Sequence, residues 1–231
     1  MAHTSGVTLM WLDPTLVRFR YVAGTQFPEG SPRSHADRTP STWVPTMVAA
    51  FNSGYKLRDH VGGFYYRGRT VSPLRDGLAA FAIRTDGTLA VGVWGSDLTM
   101  TPDTLVVRQN LPPLIDRGVV KASTTDTART WGIANGNASH ANRSALGSLP
   151  DGSFVFAVGH DVTALQLAQA LSSIGVVDAV MLDMNKSWPT GFLYTHRGST
   201  VSGRRIDPHI VRDPSTYLQP FKKDFVVVRP A

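Results

Sequence analysis

Short apolar or alternating runs recur along this chain, and turn signals close many of them. That pattern points most of the chain to β-strands joined by tight connections. Candidate strands are Val7–Leu12, Leu16–Val22, Val44–Phe51, Gly63–Tyr66, Leu78–Arg84, Leu89–Trp94, Leu105–Arg108, Ser144–Leu149, Phe154–Val158, Val176–Leu182 and Asp224–Arg229. Leu16–Val22 alternates apolar with polar residues, the mark of a strand with one wet face. Asp86-Gly87 and Asp151-Gly152 predict hairpins, since Asp-Gly favours the primed turns that match strand twist. Residues 24–42, with Pro28, Pro32 and Pro40, read as a loop, and 197–223 shows no clear pattern.

One helix stands out, over Ala164–Ile174. Thr163 and Gln166 form a capping box, Leu167, Ala168, Leu171 and Ile174 share a face, and Gly175 supplies the stop. Together these features predict an α+β, strand-rich single domain over residues 1–231, with a mixed or antiparallel sheet and few helices. At 231 residues one core is large enough to need no staple.

Composition narrows the function classes. With no Cys there is no disulfide, thiolate metal site or Cys nucleophile. No apolar run is long enough to span a membrane as a helix. The opening Met1–Gly6 has neither a basic nor an apolar leader segment, which leaves a cytoplasmic chain or one whose signal has been removed. A net charge of +6 either dresses a soluble surface or attracts an anion. Nucleic acid fits poorly, because Lys and Arg are scattered and no recognition motif is present. The seven His show no metal-ligand spacing, the nearest pairing being His35 with His60, and no metal is expected.

Several segments can carry chemistry, each with a plainer alternative. Asn52-Ser53-Gly54-Tyr55-Lys56 is explained by a turn alone, or presents an amide and a close backbone to a ligand. Arg143 is a surface charge, or a guanidinium fork for phosphate or carboxylate. Asp161 and Thr163 cap the helix, or mark its N-terminus as an anion site beside His160. Asp183, at the end of a buried strand, is the strongest single candidate: a buried carboxylate is costly unless paired, so it either makes a structural salt bridge or carries chemistry.

Taken in order, Ala50-Phe51-Asn52-Ser53-Gly54-Tyr55-Lys56, Gly62-Gly63-Phe64-Tyr65, Arg108-Gln109-Asn110-Leu111, Asn142-Arg143-Ser144-Ala145-Leu146-Gly147, Gly159-His160-Asp161-Val162-Thr163 and Val180-Met181-Leu182-Asp183 resemble the phosphodiester glycosidase family, in an actinobacterial form. The resemblance spans roughly residues 45–195. It departs after Asp183, where Met184-Asn185-Lys186-Ser187-Trp188 replaces the usual Gly-rich run and alters the loop that would shape a sugar site.

The resemblance implies an α+β fold, no organic cofactor, a phosphate-bearing saccharide or glycan as partner, and export to the cell envelope. It also implies hydrolysis of a sugar-1-phosphodiester. A phosphomonoester, with a second pKa of about 6, departs with little help from an acid. Asp183 would then be the base or nucleophile, and Arg143 would stabilise the leaving charge. Asn52 and Asn185 would hold sugar hydroxyls, and Lys56 would neutralise phosphate. Gly54, Asn110, His160, Asp161, Thr163 and Trp188 complete the expected binding set. Two rivals remain: a non-catalytic glycan-binding module, and an O-glycosidase pairing Asp183 with Asp161 or Asp76.

Overall fold

Val7, Leu9, Val155, Ala157, Ala179 and Met181 are buried against one set of neighbours, and Met10, Leu12, Phe154, Phe156, Val180 and Leu182 against another. This period of two makes a sheet buried on both faces. The computed structural model describes residues 1–4, 6–31, 37–59, 61–127, 130–132 and 139–231. The sheet holds seven strands in the order β1 (Ala2–Thr4), β2 (Val7–Leu12), β13 (Phe154–Val162), β12 (Ala141–Ser148), β14 (Asp178–Met184), β10 (Ile115–Asp116) and β11 (Val119–Val120).

Two five-stranded sheets complete the architecture. One runs β16 (Thr200–Arg205), β15 (Gly191–Arg197), β4 (Ala49–Asn52), β17 (Phe225–Pro230) and β3 (Val17–Val22). The other runs β6 (Arg69–Ser72), β5 (Phe64–Tyr66), β9 (Thr104–Gln109), β7 (Ala79–Arg84) and β8 (Leu89–Val93). All three sheets feed one core. Phe51 of β4 stacks on Phe156 of β13 at 4.6 Å, and Tyr21 of β3 lies 5.7 Å from Phe64 of β5.

The single α-helix among the described residues, α1 (Ala164–Ser172), covers the outer face of the large sheet with Leu167, Ala168 and Leu171. Both halves of the Thr163–Gln166 capping box form. The helix stops two residues earlier than expected. Val176 N–H bonds the Leu171 carbonyl at 3.2 Å and Gly175 N–H bonds that of Ser172 at 3.0 Å, with Gly175 left-handed at φ 86°. This stop delays the next strand, so β14 begins at Asp178 rather than Val176 and includes Asp183.

Other expectations need correction. Val44–Phe51 is not one strand: Val44–Thr46 forms a 3₁₀ turn containing Pro45, and the strand starts at Ala49. Both Asp-Gly hairpins form, but with φ positive only at Gly87 and Gly152. Asp86 and Asp151 instead accept hydrogen bonds from the residue two ahead, Thr88 and Ser153. The hairpin β15–β16 was not readable from its sequence. The α+β label fits loosely, because among the described residues the strand ladders are antiparallel and the one α-helix, of nine residues, packs on one sheet. Pro32, His35 and His60 lie outside the described residues.

Candidate functional site

The site begins at a defect in a ladder. Arg143 of β12 pairs with Met184 of β14, but Ala145 pairs with Met181, so Leu182 and Asp183 together face Ser144. A bulge reverses the alternation of side chains beyond it. Met184 therefore packs on the helix side like Met181, and the Asp183 carboxyl reaches Lys223, in the segment leading into β17.

Side chains make good the hydrogen bonds that the bulge disrupts. The Ser144 hydroxyl accepts from Asp183 N–H at 3.2 Å and donates to the Asp183 carbonyl at 3.3 Å. Asn52 holds that hydroxyl with an amide N–H at 2.9 Å, donates to Ser53 O at 2.8 Å, and accepts from Thr190 N–H at 2.9 Å. Asn110 donates to Leu182 O at 3.3 Å and accepts from Tyr55 N–H at 3.2 Å. Gly54 must be glycine here, since a Cβ would lie 2.3 Å from the Asn110 amide nitrogen. Asn52, Gly54 and Asn110 thus stand behind the site as its frame, with the amides taken by internal bonds.

Asp183 is 2% exposed and Lys223 4% exposed. One carboxylate oxygen contacts the Lys223 ammonium, and the other accepts from Met184 N–H at 2.8 Å. Burial pushes the Asp183 carboxyl up to about 6, against the pull of the Lys223 ammonium. Behind this pair, Arg108 and Asp224 form a second buried ion pair at 3.1 Å, and Tyr21 donates to the same Asp224 oxygen at 2.8 Å.

Asp183 and Lys223 open onto a cleft of about 360 Å³ lined by Tyr55, Lys56, Asp59, Val61, Gly132, Asp183, Asn185, Trp188 and Lys223. Three cations approach the Trp188 ring: Lys223 at 5.0 Å, Arg212 at 5.1 Å and Lys56 at 5.8 Å. Asn185 is left-handed at φ 80° and its N–H bonds Asn142 O at 3.0 Å, which fixes the loop carrying Trp188. Of the residues expected from sequence, Asp183, Lys56, Asn185 and Trp188 share this cleft.

Arg143 lines a different cavity of about 220 Å³, together with Thr163 and the first turn of α1. Its guanidinium donates to the carbonyls of Trp131 at 2.8 Å, Ser139 at 3.0 Å and Val162 at 3.1 Å. Burial lowers its pKa, and no carboxylate pairs with it among the described residues. The wall between the two cavities is Trp131-Gly132: Trp131 lines one side, Gly132 the other. The expected meeting of Asn52, Arg143, residues 159–163 and Asp183 in one pocket is therefore not what the fold builds. The bulge turns Asp183 toward Lys223, while Arg143 stays on the helix side.

His160 is exposed and stacks on His209 at 4.0 Å, and Asp161, at φ 51°, takes the Asn142 side chain on its N–H at 3.2 Å. Neither lines the cleft, nor does Asp76, which packs against Gly95. The second carboxylate in the cleft is Asp59, which sequence reasoning missed, along with Tyr55, Val61 and Lys223. For Lys223 a signal existed. Lys223-Asp224 places two charges directly before a buried strand, where burying charge is costly unless it is paired. Asp97, Asp116 and Asp178 are the one carboxylate cluster of cation-holding geometry among the described residues. Asp116 there is already paired with Arg117 and Lys121, each at 3.2 Å.

The model of the phosphodiester glycosidase family matches residues 45–184. The catalytic domain of zebrafish N-acetylglucosamine-1-phosphodiester alpha-N-acetylglucosaminidase, auto-inhibited by its pro-peptide, is similar in structure, with a TM-score of 0.54 and 18% identity over 99% of this chain and 85% of that one. A hypothetical protein from Synechocystis gives a TM-score of 0.51 and 13% identity, over 99% of this chain and 61% of that one. Among curated protein sequences none matches this chain.

Proposed function

This chain belongs to the phosphodiester glycosidase family, and from that premise we propose that it hydrolyses the glycosidic bond of a sugar-1-phosphodiester in the cleft beside Asp183. The observation that carries the reading is the buried Asp183–Lys223 pair at the floor of a cationic, aromatic-edged cleft. Burying two charges is expensive, and unlike the buried Arg108–Asp224 pair behind it, this pair lines the cleft, where a perturbed carboxylate can meet a substrate.

In this reading the ionised Asp183 acts at the anomeric carbon, either adding to it to form a glycosyl ester that water then hydrolyses, which frees the carboxylate, or taking the proton of an attacking water. The bond from that carbon to oxygen breaks, and its electron pair leaves with the phosphomonoester. No acid is required for so good a leaving group, so the demand falls on positive charge near the phosphate. Lys56 meets it from the cleft wall. Trp188 offers a face to the sugar ring, and Asn185 a hydrogen-bonding edge. Arg143 supports the site as a positioning residue through the Trp131-Gly132 wall. The substrate is a phosphate-bearing saccharide, in an exported setting an envelope polymer. The net +6 of the chain supports an anionic partner.

The test is hydrolysis of a synthetic sugar-1-phosphodiester by the wild type and by Asp183→Asn. Turnover lost in a folded variant supports the reading, and turnover kept ends it. Asp59 in the cleft favours a second reading, an O-glycosidase using two carboxylates. There Asp59→Asn would abolish hydrolysis of an aryl glycoside, an outcome the first reading does not expect.

A further inference from the structure

Lys223 is nine-tenths buried, yet it lines the cleft. An ammonium carries three N–H donors. One hydrogen bond is accounted for, to Asp183, and the ammonium otherwise lies near the Trp188 ring, 5.0 Å from its centroid. Among the described residues no other acceptor takes its hydrogens. Buried donors without partners are costly, so their presence at a cleft points to a ligand that supplies the acceptors. Lys56, on the same ring at 5.8 Å, also has no carboxylate partner among the described residues. Two ammonium groups thus meet one aromatic ring within one cleft, and only one of them is neutralised.

We propose that Lys223 is shared: it holds Asp183 at the cleft floor and, through its remaining N–H groups, binds an oxygen of a phosphate ester lying between it and Lys56. The inference deepens the reading of the cleft as a sugar-phosphate site and rests on it. It gives the substrate's phosphate a seat, and it couples that seat to the reacting carboxylate. A bound phosphate draws the ammonium partly away from Asp183 and adds a like charge nearby. Both effects raise the basicity of the carboxylate when substrate is in place. The groups that set the starting point are Lys223 and Asp224 before β17, the Met184 N–H, Arg108 of β9 and Tyr55, while Lys56 and Asp59 line the same cleft.

The experiment uses the full chain with carbon-labelled aspartate, the Asp183 carboxyl signal being assigned with Asp183→Asn. The midpoint of Asp183, expected near 6, is followed by NMR with saturating inorganic phosphate or with sodium chloride at matched ionic strength. Phosphate is expected to raise it by about half a unit to one unit. Calorimetry is expected to show phosphate binding weakened roughly tenfold in Lys223→Met and in Lys56→Met. An Asp183 midpoint indifferent to phosphate overturns the proposal, as does a Lys223→Met that binds phosphate like the wild type. The wild-type titration needs no variant, so a poorly folded Lys223→Met does not rescue the idea. Failure of the hydrolase reading looks different: Asp183→Asn keeps turnover while phosphate still moves the wild-type midpoint.

Discussion

The Tyr55 hydroxyl and the Arg143 guanidinium donate to the same carbonyl oxygen, that of Trp131, at 3.2 and 2.8 Å. Tyr55 lines the cleft and Arg143 lines the neighbouring cavity. The Trp131-Gly132 wall is therefore pinned from two cavities, and Gly132 fits only because it lacks a side chain. A Cβ there would lie 2.6 Å from Met184 Sδ and 2.7 Å from Tyr55 Oη, at a φ of +88°.

Arg143→Ala is expected to act through this wall. It leaves three carbonyls without their charged donor, a loss of about 2–4 kcal/mol in stability. Turnover of a sugar-1-phosphodiester and of an aryl glycoside should fall by similar factors, because a displaced wall harms both. A selective loss on the phosphodiester would instead give Arg143 direct work on the leaving group, the role that the family resemblance suggests.

Gly54 and Asn110 make a second framework prediction. Gly54→Ala drives a methyl into the Asn110 amide and should cost about 1–3 kcal/mol. Adding Asn110→Ala should recover part of that loss, since the clash disappears. Thermal unfolding of the two single variants and the double variant checks this. Additive losses would mean that the two residues do not meet as described.

Where one period ruled, the sequence was readable. Alternation in Leu16–Val22, the capping box at Thr163 and the Asp-Gly turns all read correctly as elements, because each is decided by residues a few positions apart. Asp183 was legible for a related reason: a carboxylate ending an apolar run has no local partner. The direction of its side chain was not legible. It depends on a bulge, and the bulge depends on Ser144, Asn52 and Asn110, which lie far from it in the chain. The same holds for the wall, which separates Arg143 from Asp183 although their strands are paired neighbours. Lys223 comes from the segment whose sequence showed no pattern, and only the closing of β17 onto β4 brings it to the site.

On the proposed mechanism, acidity should switch hydrolysis off with a midpoint near 6. As pH falls through that value Asp183 takes up a proton and can no longer act at the anomeric carbon. The acidic limb of kcat/KM for a sugar-1-phosphodiester measures this directly. A limb near 4, the ordinary range for aspartate, would show that the burial of Asp183 does not govern catalysis.

Stability should carry the opposite sign. Burial raises the folded carboxyl from 3.8 to about 6, so the fold favours the protonated form. Its contribution is present in full below 3.8 and is lost as pH rises through about 6. Asp183→Asn lacks this titration. Its stability relative to wild type should therefore improve across that window, by at most about 3 kcal/mol. Urea unfolding at both ends of the window tests the sign, and a relative stability that worsens with rising pH refutes it.

The ion pair itself can be separated from the fold by a double-mutant cycle. Lys223→Met leaves Asp183 buried beside an apolar side chain, which should cost about 3 kcal/mol above the Asp183 midpoint. Asp183→Asn removes one buried charge but leaves the Lys223 ammonium buried without its counter-ion, and the second effect should outweigh the first, so this variant should also be destabilised under the same conditions. Combining the two replaces a charged pair with two neutral groups of similar size. Such replacements are often neutral or stabilising, so the double variant should be more stable than Lys223→Met alone, with a coupling of at least about 1 kcal/mol. It should also lack the proposed hydrolysis, because neither Asp183 nor its partner ammonium remains. A stable, folded and inactive double variant would show that the pair is held for chemistry at the expense of stability. Strictly additive losses, or a double variant that unfolds more easily than either single one, would mean that Asp183 and Lys223 do not form the coupled pair on which the site is built.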